Sequence, residues 1–325
     1  MSVFIVRRLL QAMLVVWIMS LLVYIGVHIV GDPIDMLINP EADQAEIERV
    51  IRDLGLDRPI HEQYWYFLLN ALKGDLGNSF IFNEPALKLV IQRIPATFEL
   101  AVTALLLAII VGIPLGVYAG LKPDGRLSKT IMASSILGFS LPTFWVGLMM
   151  IMVFAVMLGW LPSFGRGETK LLFGIPFSFL TLDGLAHLIL PALNLSLFKM
   201  SLVIRLARAG TREVVHQDYI KFARAKGLSQ NRIIFVHLMK NIMIPVVTVL
   251  GLEFGGLIAF SVVTETVFSW PGMGKLIIDA LHNLDRPIIV AYLMVIVVMF
   301  VIINLVVDVL YSILDPRVRI QDLKG

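Results

Sequence analysis

Leu9-Leu-Gln-Ala-Met-Leu-Val-Val-Trp-Ile-Met-Ser-Leu-Leu-Val-Tyr-Ile-Gly-Val-His-Ile-Val30 runs for 22 residues without a formal charge. A bilayer core about 30 Å thick is crossed by about 20 apolar residues in a helix, so this stretch reads as a membrane span. Five further runs obey the same rule. They are Leu100–Leu121, Ile131–Leu158, Leu188–Ile204 interrupted by Lys199, Ile242–Thr264 interrupted by Glu253, and Ile288–Leu314 interrupted by Asp308. Six spans predict an all-α polytopic membrane protein, because the hydrocarbon layer offers no water to satisfy backbone groups. Ile131–Leu158 carries Pro142 and is too short for two crossings; it is expected as one tilted helix kinked at the proline. Leu171–Leu182, with Gly174 and Pro176, is too short to cross and is expected as a re-entrant or interfacial segment.

Composition agrees. The chain of 325 residues is 58% hydrophobic and 16% charged, with a mean hydropathy of +0.85. A soluble globule, a disordered chain and a coiled coil are excluded by the departure from about 45–50% apolar and about 25% charged residues. The absence of cysteine removes disulfides, thiolate metal sites and cysteine nucleophiles. Arg7 and Arg8 resemble the start of a signal peptide, but the apolar run is too long and Gly31-Asp32-Pro33 lacks a small-x-small cleavage pattern. A retained signal-anchor span is expected.

The charges orient the bundle. With the N-terminus inside, segments 1–8, 122–130, 205–241 and 315–325 hold sixteen basic and five acidic residues, while the outer segments hold ten basic and fifteen acidic. This is the positive-inside pattern, and it places both termini in the cytoplasm. The pI of 9.1 therefore reflects membrane orientation, and nucleic acid is not an expected partner. The chain divides into 1–30 (N-terminal segment and first span), 31–97 (external helical region) and 98–325 (five-span core). In the external region, Ile47, Val50, Ile51 and Leu54 recur at helical spacing before Gly55, and Gln63 to Leu72 shows a second amphipathic pattern. These helices read either as a cap on the external mouth or as a docking surface for an external partner.

The loop 205–241 carries the functional argument. Asp218-Tyr-Ile-Lys-Phe-Ala-Arg-Ala-Lys-Gly227 begins on a good N-cap and ends on a good C′ residue. The eight residues between make about two turns, too short to be stable alone in water. Such a helix must be docked on something. Ser229 can cap a following helix that runs to Pro245 and feeds the fifth span. The short helix offers Tyr219, Phe222 and Ala223 with a basic rim of Lys221, Arg224 and Lys226. A lipid-headgroup anchor is the rival reading. The defined stop at Gly227 favours a groove in a soluble partner protein.

Other chemistries lack their signatures. Gly272-Met-Gly274-Lys275 does not have the phosphate-loop spacing and lies outside by charge. The six histidines show no paired ligand spacing, and no nucleophile elbow is present. No metal, catalytic or cofactor-binding residues are therefore assigned, and energy must come from a partner. The intramembrane charges remain. Such groups usually face a bundle interior. Glu253 is expected to line a path for cationic cargo or to pair with Lys199. Lys199 is otherwise expected to snorkel to the cytosolic interface, and Asp308 to have a structural helix-end role.

Several of these stretches resemble bacterial ABC-importer permeases of the dipeptide, oligopeptide and nickel branch. They are Ala223-Arg-Ala-Lys-Gly227 with His237, Asn241 and Pro245; Val262-Val-Thr-Glu-Thr-Val-Phe-Ser-Trp-Pro-Gly-Met-Gly274; Asn304 to Tyr311 with Asp315-Pro316-Arg317; and Gly55-Leu-Asp-Arg-Pro59, Gly74-Asp-Leu-Gly77 and Arg93-Ile-Pro-Ala-Thr97. The long external region is similar to the B-type subunit. The resemblance implies the six-span type I permease fold and an inner-membrane importer of peptides working by alternating access. The implied partners are a C-type permease, two cytoplasmic ATPases that bind ATP and Mg, and a periplasmic or lipid-anchored binding protein. Glutathione, nickel chelates and oligosaccharides are alternative cargoes on the same architecture. Asp218, Tyr219, Lys221, Phe222, Ala223, Arg224, Ala225, Lys226 and Gly227 would form the ATPase-coupling segment, and Glu253, Ser261 and Asn304 are path candidates. Where the general family begins this segment with Glu-Ala-Ala, this chain has Lys221-Phe222-Ala223, which alters the charge offered to the ATPase groove. An ion-coupled secondary transporter is the rival class, with Glu253 and Asp308 as its candidate carboxylates and no visible repeat. A membrane scaffold that transports nothing is the other.

Overall fold

The computed structural model describes residues 2–29, 51–52 and 57–314. The helix read over Ile47–Leu54 and the tail Asp315-Pro316-Arg317 lie largely or wholly outside them. The elements are α1 (Ser2–Ile29), α2 (Ile60–Leu72), α3 (Ala86–Leu121), α4 (Arg126–Ser140), α5 (Thr143–Met150, continued as a π-helix over Ile151–Met157), β1 (Lys170–Leu172), β2 (Ile175–Phe177), α6 (Leu182–Val214), α7 (Asp218–Ala225), α8 (Met239–Val267), α9 (Met273–His282) and α10 (Arg286–Leu314). Among the described residues five helices are long and apolar enough to cross a membrane, and α4 with α5 makes a sixth if that broken pair is one span. The chain forms two compact units, residues 1–93 with 276–302, and residues 94–275 with 303–325.

In the first unit α2 leans on α1. The Ser20 and Tyr64 hydroxyls lie 2.9 Å apart, Tyr24 donates to Gln63 at 3.2 Å, and Tyr24 packs edge-on against Tyr64. The turn after α2 uses Gly74 and Gly77 at φ of 81° and 86°, a left-handed backbone that suits glycine. A small loop closes between Gly77 and Ala86, and its Ser79 donates to the buried carboxylate of Asp285 at 2.5 Å.

In the second unit α6 is the central post. Three glycines one turn apart on α3 let it approach closely. A β-carbon at Gly112 would meet Val203 at 2.9 Å, one at Gly116 the Ile204 carbonyl at 2.6 Å, and one at Gly120 the Thr211 side chain at 2.5 Å. Such small-residue contacts are a principal way helices associate in a bilayer. A core then gathers Ile113 and Val117 of α3, Val203 and Ala207 of α6, and Ile242, Val246 and Leu250 of α8.

One expectation is corrected. Ile131–Leu158 is not one kinked helix: α4 and α5 turn by 109° at Leu141–Pro142. Leu141 and Pro142 are both extended, at ψ of 137° and 130°. Proline disfavours the helical conformation of its predecessor, and two extended residues in succession redirect the chain where a single kink would only bend it. Residues 171–182, expected as a re-entrant or interfacial segment, have a defined local form. They supply most of a β-hairpin whose two-residue turn, Phe173 and Gly174, has both φ values positive, at 53° and 80°. Among the described residues the helical chain thus carries one two-stranded sheet.

Candidate functional site

The short helix α7 forms over Asp218–Ala225, and its outline differs from the sequence reading at the N-terminus. The N-cap is Gln217, without a side-chain cap bond. Asp218 is the first helical residue, and its carboxylate accepts from Lys221 at 2.9 Å. That hydrogen bond, reinforced by the lysine charge, holds the Asp218 carboxyl below its usual range. The C-terminus is as expected. Gly227 has a φ of 74°, its N–H donates to the Arg224 carbonyl at 2.9 Å, and the Leu228 N–H donates to the Ala223 carbonyl at 3.2 Å. This pair of bonds is a Schellman stop.

Docking explains how two turns persist. Ile220 and Ala223 are 0% and 5% exposed and join the core with Val214, Ile233 and Leu238. Ala223 therefore faces inward, which corrects its place in the offered face. Tyr219 and Phe222 are 43% and 61% exposed. Lys221, Arg224, Ala225, Lys226 and Gly227 are exposed around them, with the Lys226 ammonium 4.6 Å from the centre of the Phe222 ring. Asn241 fixes the arrangement from α8, donating to the His237 carbonyl at 2.8 Å and to the Tyr219 hydroxyl at 2.9 Å. Ser229 holds the N-cap position of the next helical turn, Gln230–Arg232, without a side-chain bond. A π-helix over Ile233–Leu238 then leads into α8 and presents Phe235 and Val236, 74% and 53% exposed. Sequence reading missed these two residues, since a π turn rotates side chains off the 3.6-residue pattern.

The path candidates do not share one environment. Lys199 of α6 is buried and forms an ion pair with Glu253 of α8, so it does not snorkel. Ser261 is fully buried, and its hydroxyl donates to Glu265 at 2.9 Å. Asn304 is half-buried on α10. Asp308 is helical, and its side chain lies outside the described set.

Two carboxylates passed over in the sequence organise a buried corner. Glu265 accepts the backbone N–H groups of Gly274 at 2.7 Å and Lys275 at 3.1 Å, and a side chain at Gly272 would overlap it. The Trp270 indole donates to the Ala96 carbonyl at 2.9 Å, and the Met273 N–H to Thr97 at 2.8 Å. Ala96 and Thr97 thus meet Trp270 and Met273 in one joint. Glu99 accepts from Arg166 at 2.5 and 3.1 Å, from the N–H and hydroxyl of Ser178, and from the Phe179 N–H.

Comparisons with known proteins bear on this arrangement. A family model described as the binding-protein-dependent transport system inner membrane component matches residues 112–320, and its N-terminal counterpart matches residues 1–101. The glutathione transport system permease protein GsiC of Escherichia coli strain K12 is 39% identical over 321 residues, covering 97% of this chain and 98% of that protein. GsiC of Shigella boydii serotype 4 is 38% identical over the same span. A chain of the MetNI methionine ABC transporter, solved in inward-facing conformations, superposes with a TM-score of 0.54 at 17% identity, covering 71% of this chain and 99% of that one. A second crystal form gives a TM-score of 0.56 at 16% identity.

Fold and matches define a class: the multi-pass inner-membrane permease of an ATP-driven importer. The chain belongs to the binding-protein-dependent transport system inner membrane component family, in its peptide and nickel branch and of the B type. It is a non-catalytic subunit without a cofactor of its own, and ATP is hydrolysed by a partner. Membership implies a complex with ATPase subunits and a binding protein.

Proposed function

We propose that this subunit passes short peptides across the inner membrane by alternating access, with glutathione-type tripeptides first among them. The cargo reading is supported by the curated relatives, named as glutathione permeases and matched over 97% of the chain. The mechanism rests on α7, a two-turn helix anchored by Ile220 and Ala223 that turns Tyr219 and Phe222 outward. In this reading α7 lies in a groove of one of two cytoplasmic ATPases, and both termini are cytoplasmic. A C-type permease completes the path, and Glu253 and Asn304 face it. Closure of the ATPases moves α7 and, through the shared core, α6 and α8. A ligand or a motor shifts such an equilibrium only by its differential affinity for the two states, so weakening α7 uncouples transport without unfolding the spans.

The test exploits the absence of native cysteine. Single cysteines at Tyr219 and Phe222, in the complete complex, are expected to crosslink to an ATPase subunit. Proteoliposomes carrying the complex are expected to take up glutathione or a free dipeptide only with ATP. Crosslinks to phospholipid alone, or uptake driven by a proton gradient without ATP, would overturn the reading.

A further inference from the structure

The ion pair between Lys199 and Glu253 sits on two apolar spans, and three observations set it apart. Glu253 accepts from Lys199 alone among the described residues and keeps a side chain 40% exposed, while the Lys199 side chain is 8% exposed. A carboxylate has about four acceptor positions and an ammonium three donors, so the bond between them leaves both with capacity to spare. Next, Gly256 lies beside the pair. A β-carbon there would meet only the Glu253 Oε2 and Lys199 Nζ atoms, each at 4.0 Å, so the missing side chain leaves room next to both charged ends. Lastly, the Phe198 ring stands 5.1 Å from the ammonium and stacks on Phe139 at 4.6 Å, giving the site an aromatic wall.

We propose that Lys199 and Glu253 form a docking site for a zwitterionic peptide, its ammonium taking Glu253 and its carboxylate taking Lys199. The physical reason is partner exchange. A ligand with a single charge would capture one member of the pair and strand the other in apolar surroundings, which is strongly unfavourable. A zwitterion offers each member a new partner and strands neither. The pair therefore accepts peptides that carry both a free ammonium and a free carboxylate, and resists ligands with only one charged group. This assignment rests on the peptide reading above and specifies what that cargo must carry.

The experiment uses the complete importer with its binding protein in proteoliposomes, with glutathione and free alanyl-alanine as probes. Lys199→Met/Glu253→Gln removes both charges and strands none. It is expected to assemble with its partners at an unchanged thermal midpoint, yet to take up free alanyl-alanine at least tenfold more slowly at saturating loaded binding protein. Uptake equal to wild type would overturn the site and leave the peptide reading standing. No ATP-dependent uptake of either probe by the wild type would overturn the peptide reading, and the site with it. A second measurement needs no variant. Labelling of Glu253 by a hydrophobic carbodiimide, read by mass spectrometry, should slow with free alanyl-alanine and not with its N-acetylated amide. Equal labelling with both would overturn the assignment.

Discussion

Glu99 and Glu253 are both carboxylates on apolar helices of the second unit, and their surroundings differ in kind. Glu99 is 4% exposed, shares its charge with Arg166 and accepts five hydrogen bonds. Glu253 is half-exposed and accepts from Lys199 alone among the described residues. A filled carboxylate has nothing left to offer a ligand and acts as a rivet between α3, the segment at Arg166 and the hairpin end. An unfilled one in the same apolar setting has capacity and an opening. Counting donors separates scaffold from site where depth in the membrane does not.

The sharpest way to break the comparison is Glu99→Ala. Removing one partner of a buried pair costs about 3–5 kcal/mol. The expected result is little or no assembled protein in the membrane, measured as fluorescence of a folded-fusion reporter, with Arg166→Met nearly as severe. Lys199→Met/Glu253→Gln should instead leave stability within about 1 kcal/mol of wild type, read as an unchanged thermal midpoint, because replacing both ends of a pair is often neutral. Equal loss of assembly in the two cases would end the distinction. Ala223→Glu comes next. It puts a charge at a position 5% exposed, and should lower ATP-driven uptake at least tenfold while the spans still insert. Gly116→Leu is expected to cost about 1–3 kcal/mol by overpacking against the Ile204 carbonyl, read as a lower thermal midpoint. The smallest effect is Asp218→Asn. The Asp218 carboxyl is held below its usual range by Lys221, so its contribution is present at neutral pH and lost only as pH falls through that lowered range. Because the pair is fully exposed, uptake measured between pH 6 and 8 should be flat in both proteins.

Much of this was legible because the bilayer enforces a simple grammar. Uncharged runs of about 20 residues had to be helices, and Gly227 after a two-turn pattern had to be a stop. The pairing of Lys199 with Glu253 is one of the two readings the sequence allows, because isolated charges are costly in spans. Other features were illegible for specific reasons. Leu141–Pro142 looked like a kink, since sequence does not reveal that both residues go extended. The Phe173–Gly174 turn was hidden inside an apolar stretch. Glu99 and Glu265 were illegible as a joint because most of their donors, Arg166, Ser178 and Phe179 for the one and Gly274 and Lys275 for the other, come from other segments.

From sequence alone came the membrane class, the existence and length of α7, and the family resemblance. The first two follow from local periodicity and caps, which act within a few residues of one another, and the third from motifs that stand in the sequence as written. Tertiary structure decided which face of α7 is free, which glycines let α3 close on α6, and which carboxylates are saturated. Those outcomes depend on which groups meet across tens or hundreds of residues, and a hydrogen bond or a close approach exists only once the chain has brought its partners together.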